Sequence, residues 1–271
     1  MKTLANHIIL YDEECPMCFA YTKAFIKLDM LPKNGREAYQ NPPESVCRLI
    51  DKQRAANEIA LVNTETGEVT YGINSLFKIL GIALPVFKPL FSFAPFHWLM
   101  TKFYAFVSYN RKVIIPATVK ANSLQPNFKI KYRVAYLLFT WLITAYILTS
   151  YAKLLTDFVP LGNSYREYII CDGQIFFQGL IISFHQKEKL WHYLGNMMTI
   201  SFAGSILLLV PLMLNRWLEI PSTAFLFYFL ITAGLMLLEH LRRSKILKIG
   251  VAMSITWILY RLIVLGLIFS L

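Results

Sequence analysis

Two regimes of hydrophobic patterning divide the chain. Up to residue 116 apolar residues come in short runs broken by charged and turn residues, whereas beyond position 133 they form runs of about twenty. In the first regime Ile8 to Tyr11 reads as a short buried strand, followed by an acidic turn and a helix opening on Cys15-Pro-Met-Cys18. After a loop with Pro32, Asn34 and Gly35 comes a short strand near Arg36 to Tyr39, and Asn41-Pro-Pro-Glu-Ser enters a helix over Val46 to Ala56. Glu58 to Val62 and Glu68 to Tyr71 are strands joined through Asn63-Thr-Glu-Thr-Gly67, whose glycine supplies a positive φ. A helix over Asn74 to Leu80 follows. The order strand, helix, strand, helix, hairpin, helix predicts an α/β domain over residues 1–116.

In the second regime Val134 to Leu155, Tyr193 to Leu214 and Ile249 to Ser270 are each long enough to cross a hydrocarbon core, and Ser222 to Leu238 is a shorter fourth. Tyr168 to Phe184 is apolar but carries Asp172, Gln174 and Gln178, so charge must decide whether it spans. Lysine and arginine in short loops stay on the cytoplasmic side. With five spans and the N-terminal domain inside, the cytoplasm receives Lys129, Lys131 and Arg133, then Lys187 and Lys189, then Arg242, Arg243, Lys245 and Lys248. With four, the Lys187 pair and the Arg242 cluster would both lie outside. The expectation is an all-α multi-pass transmembrane domain of about five helices over residues 134–271, entered through a basic juxtamembrane linker at 117–133. It would sit in the cell (plasma or inner) membrane, with the N-terminal domain cytoplasmic and the C-terminus outside. No basic-then-apolar segment precedes Ile8, so no cleavable signal peptide is expected.

Composition agrees with this division: 56% hydrophobic and 16% charged residues are too apolar for a wholly soluble chain. The net charge of +11 is carried by basic residues beside the apolar spans, where topology and anionic lipid account for it, so the partner is the lipid bilayer and no nucleic acid is expected. Of the four cysteines, Cys47 and Cys171 are unpaired in sequence, which excludes a disulfide framework. A lone Cys47 on a helix reads as a small buried hydrophobe.

The chemistry is concentrated at Cys15 and Cys18. A strand, a turn and two cysteines at a helix start form the layout of a thiol-disulfide redox site. Unpaired N–H groups of the first turn favour thiolate at Cys15, Pro16 suits a position with no N–H to lose, and Cys18 is one turn on, placed to resolve a mixed disulfide. No second Cys-x-x-Cys or His-x-x-x-His accompanies the pair, so no zinc or other metal site is expected. Asp12, Glu13 and Glu14 bring carboxylates beside Cys15 that raise its pKa, against the helix dipole.

The stretch YDEECPMC resembles the signature of the DCC family of thiol-disulfide oxidoreductases, Tyr-Asp-Gly-Asp-Cys-Pro-x-Cys. Tyr11, Asp12, Cys15, Pro16 and Cys18 match, while Glu13 replaces the glycine and Glu14 keeps the charge of the aspartate. The segment Leu84 to Pro116, with its tyrosines and Asn110-Arg111, is similar to the closing segment of that family, so the resemblance spans about residues 7 to 115. It implies a thioredoxin-like fold, in agreement with the element order, with Cys15 and Cys18 catalytic and Tyr11, Asp12, Glu14 and Pro16 supporting. Thioredoxin-type enzymes usually place a cis-proline before the first hairpin strand. Here Ala55-Ala-Asn-Glu58 stands there, so substrate class does not carry over. Trp98, Phe103, Tyr104 and Phe106 with Lys102 suit either a membrane interface or packing against their own domain, and the second is expected.

Within the spans, Arg261 sits near the middle of the last and Asp172 toward the outer end of the second, which predicts an ion pair between them. His185, His192, Glu239 and His240 fall near the cytoplasmic face. They read as interfacial residues with no cofactor, a quinone or metal pocket being the alternative. Together these features predict a membrane-anchored thiol-disulfide oxidoreductase exchanging with a redox partner protein or a small thiol. The reading from a different class is a multi-pass transporter or membrane scaffold whose soluble domain senses redox state or binds a partner.

Overall fold

The computed structural model describes residues 2–118 and 125–270; Met1, Leu271 and residues 119–124 of the expected basic linker lie outside the described residues. The chain divides into two compact units, Met1–Tyr132 and Arg133–Leu271.

The first unit contains β1 (His7–Tyr11), α1 (Pro16–Lys27), β2 (Arg36–Ala38), α2 (Glu44–Cys47), α3 (Lys52–Asn57), β3 (Ala60–Asn63), β4 (Val69–Tyr71), α4 (Ile73–Ala83), α5 (Lys88–Ser92) and α6 (Ala94–Ile114). The strands form one mixed sheet in the order β2-β1-β3-β4, with β1 parallel to β2 and antiparallel to β3. Side chains alternate across a strand, so the two central strands feed two cores. Ile9 and Leu61 pack with Phe25, Ile79 and Ala83 of α1 and α4, whereas Leu10 and Val62 pack with Val46, Ala55 and Ala56 of α2 and α3. Helices therefore cover both faces, which is why β1 and β3 read as unbroken apolar runs.

The hairpin turn is made as the sequence predicts: Gly67 has φ +73, and the Asn63 side chain accepts from the Glu65 and Thr66 N–H groups. The single helix expected over Val46 to Ala56 is instead two. Asp51 takes an extended backbone and caps α3, accepting from Arg54 N at 2.9 Å, and a capping aspartate starts a helix rather than continuing one. On α6, Tyr104, Ser108 and Arg111 share one face and hold the end of α3. Ile59 N donates to the Tyr104 hydroxyl at 3.0 Å, and Ser108 Oγ donates to Asn57 O at 2.6 Å. Trp98 and Phe103, expected to pack against the domain with Tyr104, point outward instead, because they lie on the opposite side of the helix.

In the second unit, Ile130–Ala152, Arg166–Leu214, Ser222–Leu247 and Ala252–Ser270 are long and apolar enough to cross a membrane. The second of these has 49 residues. As one helix it would measure about 73 Å, more than twice a hydrocarbon core of about 30 Å. It folds back near Lys187–Lys189, where Gln186 leaves helical geometry (φ −152, ψ 73), and so becomes two antiparallel helices. The helices of this unit are thus α7 (Ile130–Ala152), α8 (Arg166–Gln186), α9 (Leu190–Leu214), α10 (Ser222–Leu247) and α11 (Ala252–Ser270). Tyr193 donates to Gln178 Oε1 at 2.8 Å and Leu194 packs on Gly179 across the α8–α9 hairpin. The α10 helix runs past the expected end at Leu238. Glu239 binds Arg242 and Arg243 on the next turn, so charged residues extend the helix rather than end it.

Leu61 is fully buried at the centre of the sheet. Leu61→Ala is expected to destabilise the first unit by about 2–5 kcal/mol, read as an earlier denaturant midpoint for proteolysis of that unit in the detergent-solubilised full chain.

Candidate functional site

The β1 strand ends at Tyr11, and the next four residues form a tight turn in which Cys15 N donates to Asp12 O at 3.1 Å. Glu14 N donates to the Asp12 carboxylate at 3.1 Å, so this turn is held by side chain as well as backbone. Pro16 opens α1, and Cys15 occupies the N-cap with extended backbone (φ −101, ψ 106). Its sulfur takes the place of the usual capping oxygen, accepting from Cys18 N at 3.3 Å. Both side chains are unbridged and buried, each 3% exposed.

Directly behind them lies Asp12, and its partner comes from 99 residues further along the chain. Arg111 on α6 donates through Nη2 to Asp12 Oδ2 at 2.9 Å, with both side chains buried. The same guanidinium donates to Ala56 O at 2.7 Å and Asn57 O at 3.2 Å, carbonyls left open by the last turn of α3. Gln40 donates to the other Asp12 oxygen at 2.9 Å. Glu14 accepts from Gln125 at 3.0 Å, which brings the described end of the linker beside the turn. Tyr11 stands at the rim, its ring 4.3 Å from the Arg36 guanidinium and edge-on to Phe19.

The two thiols are made unlike. Cys15 is lowered to about 7, chiefly because the Cys18 thiol hydrogen-bonds its sulfur. Burial opposes this, the Arg111 charge lowers it further, and Asp12 opposes again. Cys18 is pushed up, first by its bond to Cys15 and then by burial. Tyr21, partly buried and beside Cys18, is held well above the usual phenol range, first by desolvation of its hydroxyl. The thiolate at Cys15 is therefore favoured chiefly by its local hydrogen bond with Cys18, and Arg111, which local sequence does not reveal, adds to it against Asp12. Asn110-Arg111 stands out in sequence as a polar pair in an aromatic helix, but nothing nearby indicates that Arg111 reaches Asp12.

The intramembrane pair is not formed. Arg261 donates from Nε to Gln174 Oε1 at 2.8 Å, and its guanidinium lies 4.9 Å from the Trp257 ring centre. Positions 172 and 174 are about 200° apart around a helix, so they cannot both face α11. Asp172 turns instead to an apolar cavity of about 510 Å³ between α7, α8 and α9, lined by Trp141, Ile175 and Leu194 among others. The four residues expected near the cytoplasmic face are not gathered either. His240 is buried, bonded to Tyr193 and Ser254, while Glu239 pairs with Arg242 and Arg243 and the His185 and His192 side chains are exposed. Among the described residues no group of three or more His, Cys, Asp or Glu side chains is placed to hold a metal ion.

Comparison with protein-family models, with curated proteins and with solved structures finds no match to this chain.

Alkylation of Cys15 in the full chain is expected to rise with pH about a midpoint near 7. Arg111→Gln should move that midpoint upward, and Arg111→Lys, which keeps the charge, should move it less. Because folding depresses this pKa from 9.0, ionisation stabilises the folded state at alkaline pH, and that contribution fades as pH falls through about 7. Losing Arg111 should also destabilise the first unit by about 3–5 kcal/mol, since it strands a buried carboxylate. In the bundle, Asp172→Asn is expected to leave thermal stability unchanged, whereas Gln174→Leu, which takes the acceptor from Arg261, should lower the temperature of unfolding in detergent.

Proposed function

We propose that this protein is a membrane-anchored thiol-disulfide oxidoreductase, as its resemblance to the DCC family implies, with Cys15 as the nucleophile. The observation that carries the reading is the geometry of the dithiol: Cys15 at the N-cap of α1 accepts from Cys18 N at 3.3 Å beside the buried Arg111–Asp12 pair, an arrangement that favours thiolate at Cys15 and the proton at Cys18. In the exchange, the Cys15 thiolate attacks a substrate disulfide, forming a mixed disulfide and releasing one substrate sulfur, which takes up a proton. Cys18 then gives up its proton and attacks the Cys15 sulfur, closing the Cys15–Cys18 disulfide and releasing the second substrate thiol. The substrate gains two electrons and the dithiol loses two. A partner dithiol or small thiol restores the starting state, and the reverse sequence oxidises a substrate. Arg111 and Asp12 act here as positioning residues through their effect on the two sulfurs.

The order of elements and the strand order β2-β1-β3-β4 support a thioredoxin-like fold for the first unit. The α8–α9 hairpin supports five membrane spans rather than four. With five, the basic residues of the Lys187 and Arg242 regions fall on the cytoplasmic side with the dithiol unit, and the C-terminus lies outside.

A second reading, a transporter or scaffold with a redox-sensing domain, draws on the buried chain of hydrogen bonds in the bundle from Gln178 through Tyr193 and His240 to Ser254. One experiment tests the first reading. The full chain is equilibrated against defined glutathione ratios, and Cys15 and Cys18 are followed individually by alkylation and mass spectrometry. A reversible two-electron transition, lost in Cys15→Ser and in Cys18→Ser, is expected. Two thiols that titrate independently and never pair would sink the oxidoreductase reading.

A further inference from the structure

The first unit carries an exposed apolar face on residues 85–103, which its own fold leaves uncovered. Val86 is 78% exposed, Trp98 63%, Phe93 58%, and Leu99 and Phe103 57% each. On α6 the division is sharp. Trp98, Leu99, Lys102 and Phe103 lie within one half of the helix circumference, and Tyr104, Ser108 and Arg111, which bind the domain, lie within the other. The helix is therefore held by its polar stripe and turns its aromatic stripe outward. The short α5 helix and the turn before it continue the face with Pro85, Val86, Phe87 and Leu90. A patch built from this many large apolar side chains on one segment marks an interaction surface.

Charge indicates the partner. No Asp or Glu occurs between Glu68 and Asp157, while Lys88 and Lys102 stand exposed within the face itself. The Lys102 ammonium lies over the Trp98 ring, 5.9 Å from its centre. Tryptophan, phenylalanine and lysine without any carboxylate match the boundary between acyl chains and anionic headgroups. A protein partner of acidic character would complement the lysines but not so broad an apolar area. The bilayer is also within reach on any arrangement of the two units. The first helix of membrane length begins at Ile130, after a link from Ile114 that spans at most ~55 Å when fully extended.

We infer that the face formed by α5 and the first half of α6 docks on the cytoplasmic surface of the bilayer, with Val86, Phe93, Trp98, Leu99 and Phe103 at the acyl boundary and Lys88 and Lys102 at anionic headgroups. The domain is then oriented by its own surface as well as tethered by the chain. This stands independently of the redox reading, since it involves neither Cys15 nor Cys18.

The test uses the full chain with its four natural cysteines replaced by serine, reconstituted in nanodiscs of phosphatidylcholine and phosphatidylglycerol. An environment-sensitive fluorophore is attached at Phe93→Cys, at Leu99→Cys, or at Glu37→Cys on the exposed edge of β2 as a control. Quenching by doxyl-labelled lipid and shielding from aqueous iodide at positions 93 and 99, with the reverse at 37, is the expected result. Iodide quenching at 93 and 99 equal to that at 37 would overturn the inference. Shielding from iodide without quenching by lipid would also overturn it, because the face would then be covered by protein, whether the membrane helices or a second copy. Either of the two positions suffices if the other variant does not fold.

Discussion

A guanidinium taken out of water depends on acceptors for its donors, and the two terminal nitrogens of Arg111 find three kinds: the Asp12 carboxylate, the carbonyls that end α3, and the Ser108 hydroxyl. Those contacts tie together the turn after β1, the end of α3 and the helix α6, which are far apart in sequence. The turn that sets Cys15 at the helix start is thus held from behind. Asp12 alone would work against a thiolate at Cys15, and Arg111 alone would be an unpaired buried charge. Together they leave a near-neutral base on which the local hydrogen bond from Cys18 decides the outcome.

The same pair governs the outer surface of the unit. Once Arg111, Ser108 and Tyr104 point inward, the helical period requires Trp98, Leu99 and Phe103 to point out. A polar requirement in the interior therefore produces an apolar exterior. That inversion of the usual pattern is why the face reads as a docking surface rather than as core.

The helical unit meets the same constraint with other means. Arg261 is satisfied by an amide and an aromatic face, and Arg243 by Glu239 and Asn196. In each case the partner is decided by which residues share a helix face, not by which carry opposite charge. Asp172 has the charge to pair with Arg261 but the wrong angular position, and it lines an apolar cavity instead. His240 is drawn into the interior by Tyr193 and Ser254, away from the exposed histidines near it in sequence.

Much of this was legible in the residues alone. Strand β1, the helix start at Cys15-Pro16, the glycine turn at Gly67 and the apolar membrane-length helices follow from local steric, capping and burial rules that act within a few residues. The break between α2 and α3 was missed because Asp51 reads equally as a solvated residue within a helix and as a cap, and packing chose the cap. Arg111 at Asp12 and Gln174 at Arg261 were beyond reach, since the pattern along a chain records periodicity and not which faces meet. The sequence by itself determined that a dithiol would sit at a helix start and that apolar helices would follow. The tertiary structure decided which charges stand behind the dithiol and which face of α6 looks outward, because a buried charge is settled by its neighbours in space.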